Sequence, residues 1–436
     1  MTAHPRPLVE LSGISVNYDV RGSFADRLTG RSRGAVQALA DIDLEIGEGE
    51  TVGIVGESGS GKTTLARTIL HLVEPASGSL RLAGEEITAL SEREFRPLRR
   101  RVQMVFQDPT AALNPSMDVF TAVAHPLRIH RLEPDRALRA RRVYEMLERV
   151  GLAPAARFAR KLPRELSGGQ RQRVVIARAL IVGPELLIAD EPVSMLDMSV
   201  RAQIIELLVS LKNELGLTFL YITHDLATAR FFCDRIAVMY LGRIVEEAPT
   251  AELFGRPRHP YTRALLDAVP TPDVIGIRRP PLQGEIADGA ALPRGCPFHP
   301  RCPAAFAICG WEPKDLRTAL ERRWTGIDLE RYANERRAFR RLDDLERSAT
   351  VARIDVAHTH GTREIEAVLD ALRRESPAER VWHGIEEIAV RDGAVEVHFS
   401  ESRVPVLTET DGARVACHLY DEAAPASARD HEAEPP

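Results

Sequence analysis

Residues 51–70 read TVGIVGESGSGKTTLARTIL. Thr51–Val55 is a short apolar, β-branched run and predicts a buried strand. Gly56, Gly59 and Gly61 follow at once, and Thr64–Leu70 then predicts a helix. Strand, glycine loop and helix is the setting that G-x-x-x-x-G-K-[ST] requires. Without side chains at the glycines, the backbone N–H groups of Gly56, Glu57, Ser58, Gly59, Ser60 and Gly61 can converge on phosphate oxygens. The positive end of the following helix, with Thr64 in its first turn, points the same way. Lys62 supplies a mobile charge for the β- and γ-phosphates, and Thr63 a hydroxyl for Mg²⁺. The expectation is an α/β nucleotide-binding core.

A second stretch, LLIADE at 186–191, reads as a buried strand ending in two carboxylates. Ligands of parallel sheets bind at that carboxyl edge. Asp190 is expected to hold Mg²⁺ through water and Glu191 to polarise an attacking water, a role worth about 10²–10⁴ in rate. Between the two lies LSGGQ at 166–170. Leu166-Ser167 before Gly168-Gly169 places backbone N–H groups and the start of a helix, Arg171–Leu180, toward a phosphate. The apolar run Leu217–Ile222 ends in THD, which carries His224. Residues 104–109 read MVFQDP and 194–197 SMLD.

In this order, these strings resemble an ATP-binding cassette (ABC) ATPase. The resemblance implies a phosphate-loop NTPase fold: a RecA-like α/β core, an antiparallel β subdomain and a helical subdomain at about 108–175. It implies that Gln107 contacts Mg²⁺ and water, that Asp197 lies in a loop crossing the dimer interface, and that His224 contacts the γ-phosphate. Ser167, Gly168, Gly169 and Gln170 then face the nucleotide of a partner subunit, so the chain, with one copy of each motif, must pair with a second cassette. Tyr18 resembles the aromatic that stacks on adenine, and reads equally well as a core residue of an N-terminal strand.

Composition is ordinary for a soluble globular protein. The chain has 436 residues, 44% hydrophobic and 28% charged, with a net charge of −5. That length exceeds one ordinary domain, and the charge offers no broad nucleic-acid surface. No apolar run approaches about 18 residues, and the N-terminus MTAHPRPLVE has no apolar signal core. A cytoplasmic location follows, peripheral to the membrane through partners.

Beyond the expected cassette at 1–255, RHPYTRALLDAVP (258–270), LQGEI (282–286) and GCPFHPRCPAAFAIC (295–309) resemble the C-terminal extension of oligopeptide and dipeptide importer ATPases. QDPTAALNP (107–115) and EPVSMLDMS (191–199) resemble the same subfamily. Peptide import is therefore implied, with two permeases and an extracytoplasmic binding protein as partners. Nickel importers share the pattern, and a translation or repair ATPase is the reading from another class.

There are five cysteines. Cys233, in FFCDRIAV, reads as a buried core thiol. Cys296, Cys302 and Cys309 cluster in the 256–312 extension, and Cys417, in VACHLY (415–420), fits the family's fourth position. Four thiolates suit a [4Fe–4S] cluster or zinc, and the lack of a short C-x-x-C knuckle favours the cluster. His299 is a possible substitute ligand.

The pattern departs from the family here, because 107 residues separate Cys309 from Cys417. They predict a small α/β insert at 313–414. Leu316–Arg347 has helical spacing, Val351–Val356 is a strand, Glu364–Arg373 a helix, and Ile388–Phe399 a hairpin turning at Asp392-Gly393. If the cysteines form one site, the insert's ends meet and the insert loops out of it. His358 and His360 read as a strand-end loop, and 421–436 as a disordered tail.

Overall fold

The computed structural model describes residues 6–19, 35–268, 292–343, 345, 348–357, 361–377 and 379–421. The excursion at 20–34, LQGEI at 282–286, His358, His360 and the tail beyond Asp421 lie outside them. The chain divides into two compact units, one of Met1–Arg256 with Asp411–Ala413, the other of Pro257–Thr410 with Arg414–Pro436.

In the first unit, β1 (Pro7–Asp19) and β2 (Ala35–Gly47) precede β3 (Thr51–Val55), the glycine loop and α1 (Lys62–Ile69). β4 (Ser77–Leu82) and β5 (Glu85–Glu86) complete an antiparallel sheet in the order β2-β1-β4-β5. A second sheet takes β3, β6 (Val102–Val105), β7 (Leu186–Asp190), β8 (Thr218–Thr223), β9 (Arg235–Tyr240) and β10 (Arg243–Pro249) in the order β10-β9-β3-β8-β7-β6. From β9 to β6 its strands pair in parallel. Every residue of β3, β7 and β8 is buried. A parallel sheet is covered on both faces, so its strands read as unbroken apolar runs rather than alternating ones.

Between β6 and β7 lie α2 (Val119–Ile129), α3 (Arg136–Arg149) and α4 (Gly168–Leu180). Asp118, Asp135 and Ser167 cap their first turns. The periodicity at 137–150 marked α3, whereas α2 carries Pro126 inside it. The buried face of α2, with Val119, Ala122, Val123 and Leu127, packs on α4. Arg173 Nη1 donates to Val150 O at 2.7 Å, and Arg178 donates to Ala112 O. α5 (Met198–Leu215) follows β7.

The second unit holds the cysteine segment, then α6 (Pro313–Thr325), α7 (Leu329–Arg336), β11 (Val351–Asp355), α8 (Gly361–Glu375), β12 (Ile385–Arg391) and β13 (Ala394–Phe399). The strands form an antiparallel sheet in the order β11-β13-β12, with the hairpin turning at Asp392-Gly393. Ile365, Val368, Leu369 and Leu372 give α8 its buried face. The helical spacing of 316–347 does not become one helix. Asp328 caps a new start, accepting from Glu330 N and Arg331 N, so α6 and α7 are separate. Arg323, 3% exposed at its side chain, ties them to α8 through Glu335 and Glu375 at 2.8 and 2.7 Å. A buried charge needs such pairing.

Candidate active site

The glycine loop leaves β3 and enters α1 with its back held by two neighbouring strands. A Cβ on Gly56 would lie 2.2 Å from Met239 O. Gly61 has φ +101°, and a Cβ there would lie 2.6 Å from Ala38 O. Both positions therefore require glycine. The β9–β10 turn adds a support that the sequence reading missed. Gly242 N donates to Ser60 O at 3.0 Å, and Gly242 O accepts from Ala40 N at 2.9 Å. The available signal was a Leu-Gly pair between two apolar runs, which is hairpin chemistry.

Lys62 closes the loop on itself. Its ammonium donates to Gly56 O and Glu57 O, both at 2.8 Å. Burial lowers its pKa, and the charges of Glu191, Asp190 and Glu57 oppose that shift. Thr63 Oγ1 donates to Asp190 Oδ2 at 3.1 Å. Burial raises the Asp190 carboxyl and the neighbouring Glu191 adds to it, against the Thr63 hydrogen bond and Lys62. A buried carboxylate beside a hydroxyl, with a second carboxylate next to it, is an oxygen-ligand set short of positive charge. Mg²⁺ is a hard, oxygen-seeking cation that reverses this penalty. The residues present fit it.

Glu191 stands at the end of β7 with φ +46°. That conformation is strained for a residue with a side chain, and such strain collects at functional sites. The backbone is pinned there: Glu191 N donates to Ile222 O at 2.8 Å, and Ser194 N and Oγ donate to Glu191 O. Gln107 Nε2 donates to Glu191 Oε2 at 2.9 Å, and His224 Nδ1 lies 3.0 Å from Glu191 Oε1. Gln107, Glu191 and His224 thus follow the carboxyl ends of β6, β7 and β8, three neighbouring strands. Their convergence is a consequence of strand order.

Ser167, Gly168, Gly169 and Gln170 form the start of α4. Ser167 Oγ accepts from Gln170 N, and Gln170 Oε1 from Ser167 N. The two glycines let this start approach the SMLD turn: a Cβ on Gly168 would lie 3.3 Å from Leu196 Cδ2, and on Gly169 2.6 Å from Val200 Cγ1. Asp197 caps α5 through Val200 N at 3.0 Å. Tyr18 stands on β1 opposite Val36, 40% exposed.

In the second unit all four clustered cysteines are free thiols. Cys296 N donates to Cys309 O at 2.7 Å. Burial pushes the thiols of Cys296, Cys302 and Cys309 up to about 12, and raises Cys417 as well. Within the group each thiol is raised further by others: Cys417 by the remaining three, Cys296 by Cys302, Cys302 by Cys309, and Cys309 by Cys296. Cys417 is thus within electrostatic reach of the other three despite its distance in sequence. As the side chains stand, no group of three or more His, Cys, Asp or Glu among the described residues is set to hold a metal ion. His299 Nδ1 donates to Cys296 O at 2.9 Å, and its Nε2 faces Asp315 at 3.7 Å. Cys233, in the first unit, is buried against Gly53.

A glycine loop, a Thr63–Asp190 pair fit for a cation and a strained glutamate at the carboxyl ends of one parallel sheet are the features of a phosphate-loop ATPase, and the LSGGQ start packed on the SMLD turn narrows it to the ABC class. Residues 39–194 match the ABC transporter family, and 245–309 match the oligopeptide/dipeptide transporter C-terminal region. The chain is 44% identical over 331 residues to the oligopeptide transport ATP-binding protein AppF of Bacillus subtilis, covering 75% of this chain and 98% of that one. It is 43% identical over 312 residues to a Brucella ovis protein whose name assigns it to peptide import, covering 71% and 94%. The chain belongs to the ATP-binding subunits of ABC transporters, in the oligopeptide/dipeptide branch, and it is an ATPase. It also carries sequence that these relatives do not match. No helix among the described residues is long and apolar enough to cross a membrane.

Proposed function

We propose that this chain energises the import of di- or oligopeptides, at the cytoplasmic face of a membrane. Its partners are a second cassette, two permease subunits and an extracytoplasmic binding protein. The match of residues 245–309 to the oligopeptide/dipeptide extension carries this reading. The nucleotide is held by the loop Gly56–Thr64, with Tyr18 available to the adenine. Thr63, Gln107 and Asp190 would hold Mg²⁺, which would supply charge to shield the phosphates. Glu191 takes the proton of the attacking water, and Gln107 and His224 fix its orientation, His224 also meeting the γ-phosphate. Ser167–Gln170 act on the partner's nucleotide across Asp197, so a complete site needs two cassettes.

The test is reconstitution. The isolated monomer should turn over ATP slowly. Adding the partner cassette, permeases and peptide-loaded binding protein in lipid vesicles should raise the rate at least about tenfold. A single, monodisperse monomer that already turns over at the assembled rate would refute the split site. Stimulation by nickel-loaded but not peptide-loaded binding protein would replace the substrate.

The four cysteines extend the proposal to a [4Fe–4S] cluster. Four free thiols in one unit suit a polynuclear group in kind and number, which would hold them as thiolates once their side chains turned toward it. Anaerobic purification should give iron and sulfide in equal amounts, with visible absorption bleached by dithionite. Stoichiometric zinc without sulfide would replace the cluster with zinc.

A further inference from the structure

The segment between Cys309 and Cys417 is not looped away from the cysteines. Trp311 packs edge-on to His299, with ring centroids 4.9 Å apart, and its indole N–H donates to Phe306 O at 3.0 Å. The Trp311 side chain also lies close against Gly384, between the Arg380–His383 turn and β12, where a Cβ would be 2.1 Å from Trp311 Cδ1. Gly384 O in turn accepts from Ser400 N at 2.9 Å, just past β13. Arg380 Nη1 donates to Pro300 O at 3.2 Å, and Arg403 N to Ile308 O at 3.4 Å. Arg403 O accepts from His418 Nε2 at 2.9 Å.

Each cysteine therefore has a gripped neighbour: His299 for Cys296, Pro300 for Cys302, Ile308 for Cys309 and His418 for Cys417. Apart from single turns, the four segments have no regular structure of their own. Ordering a residue costs about 1–2 kcal/mol of backbone entropy, so irregular loops need an external frame to hold four side chains together. The insert supplies one, through a sheet and three helices bound by the Arg323 network.

We infer that the insert is a clamp that positions the four thiols, with Trp311 seated on Gly384 as its latch. The inference rests on the reading that the four cysteines act as one group. Its test does not depend on which metal they take.

Gly384 has φ −102°, ψ −5°, and Gly326, at the end of α6, has φ −96°, ψ −2°. Alanine suits both backbones. A Cβ on Gly326 meets nothing closer than 3.5 Å, whereas on Gly384 it collides with the indole. The pair isolates the latch from any general effect of losing a glycine. In the full chain, reduced and metal-stripped, Gly384→Ala should speed maleimide alkylation of Cys296, Cys302, Cys309 and Cys417 about tenfold, by freeing local opening. Cys233 should not change, and Gly326→Ala should match wild type. Because the collision runs from Trp311 Cβ into the ring, Gly384→Ala added to Trp311→Gly should be no faster than Trp311→Gly alone, a non-additivity that independent destabilisation would not give. Anaerobically purified Gly384→Ala should carry less than half the wild-type iron and sulfide.

Wild-type alkylation rates in Gly384→Ala would overturn the clamp. Should that variant unfold the unit outright, Arg380→Lys decides, since it keeps the positive charge that lowers the Cys302 thiol and gives up the guanidinium bond to Pro300 O. It should speed Cys302 about threefold, and no change there overturns the clamp. A wild-type chain without iron or sulfide would instead sink the metal reading, leaving the alkylation rates to judge the clamp.

Discussion

In the assembled transporter, Glu191→Gln should lower ATP turnover by about 10²- to 10⁴-fold, with ATP affinity within about twofold of wild type. The substitution keeps the size of the side chain and removes its ability to take a proton. The side-chain bonds of Glu191 run to Gln107 and His224, and its charge acts on Lys62 only through space. Binding, which rests on Lys62 and the loop N–H groups, is left in place. The variant should accumulate as a closed, ATP-loaded pair of cassettes. Steady-state turnover and equilibrium nucleotide binding on the same preparation separate the two effects. Turnover within a factor of two of wild type would show that Glu191 is not the base. An equal loss in binding would show that its charge acts on the nucleotide instead.

The cassette was legible because its chemistry is built from short, local strings. TVGIV is β3 to the residue, and LLIAD is β7. Each strand is buried on both faces, so periodicity and burial give the same answer. The joining of Gln107, Glu191 and His224 was legible only through the family resemblance, since strand order is not written in any one segment. Gly242 was missed for the same reason: its bonds to Ser60 and Ala40 reach across the sheet. α2 went unread because Pro126 sits inside it. In the insert, the hairpin was readable from Asp392-Gly393, a local turn. The split between α6 and α7 was not, because the charged periodicity runs on through Asp328. Nothing in the sequence pairs Trp311 with Gly384, 73 residues on; a glycine reads as a turn until its neighbour is known.

Asp190→Asn should have opposite effects on stability and function. Burial raises the Asp190 carboxyl pKa in the folded chain. Between its unfolded and folded values, the folded state therefore binds a proton that the unfolded state has released. Stability then falls as pH rises through that window and stays lower above it. Asparagine keeps the shape, can still accept from Thr63, and has no charge to bury. The nucleotide- and metal-free variant should melt about 2–4 °C higher than wild type at neutral pH, with the difference vanishing in acid, where both side chains are neutral. The same charge is what Mg²⁺ binds, so the rise in melting temperature on adding Mg-ATP over ATP with chelator should be largely lost. Turnover of the assembled transporter should fall at least about 10²-fold. Differential scanning calorimetry from pH 4 to 8, with and without Mg-ATP, reads both arms. A metal-free variant no more stable than wild type at pH 8 would mean that the buried charge is compensated within the chain. A retained Mg²⁺-dependent shift would mean that the cation is held elsewhere. The stability that Asp190 forgoes when metal-free is then the measure of how far this strand end is built around a cation it does not itself supply.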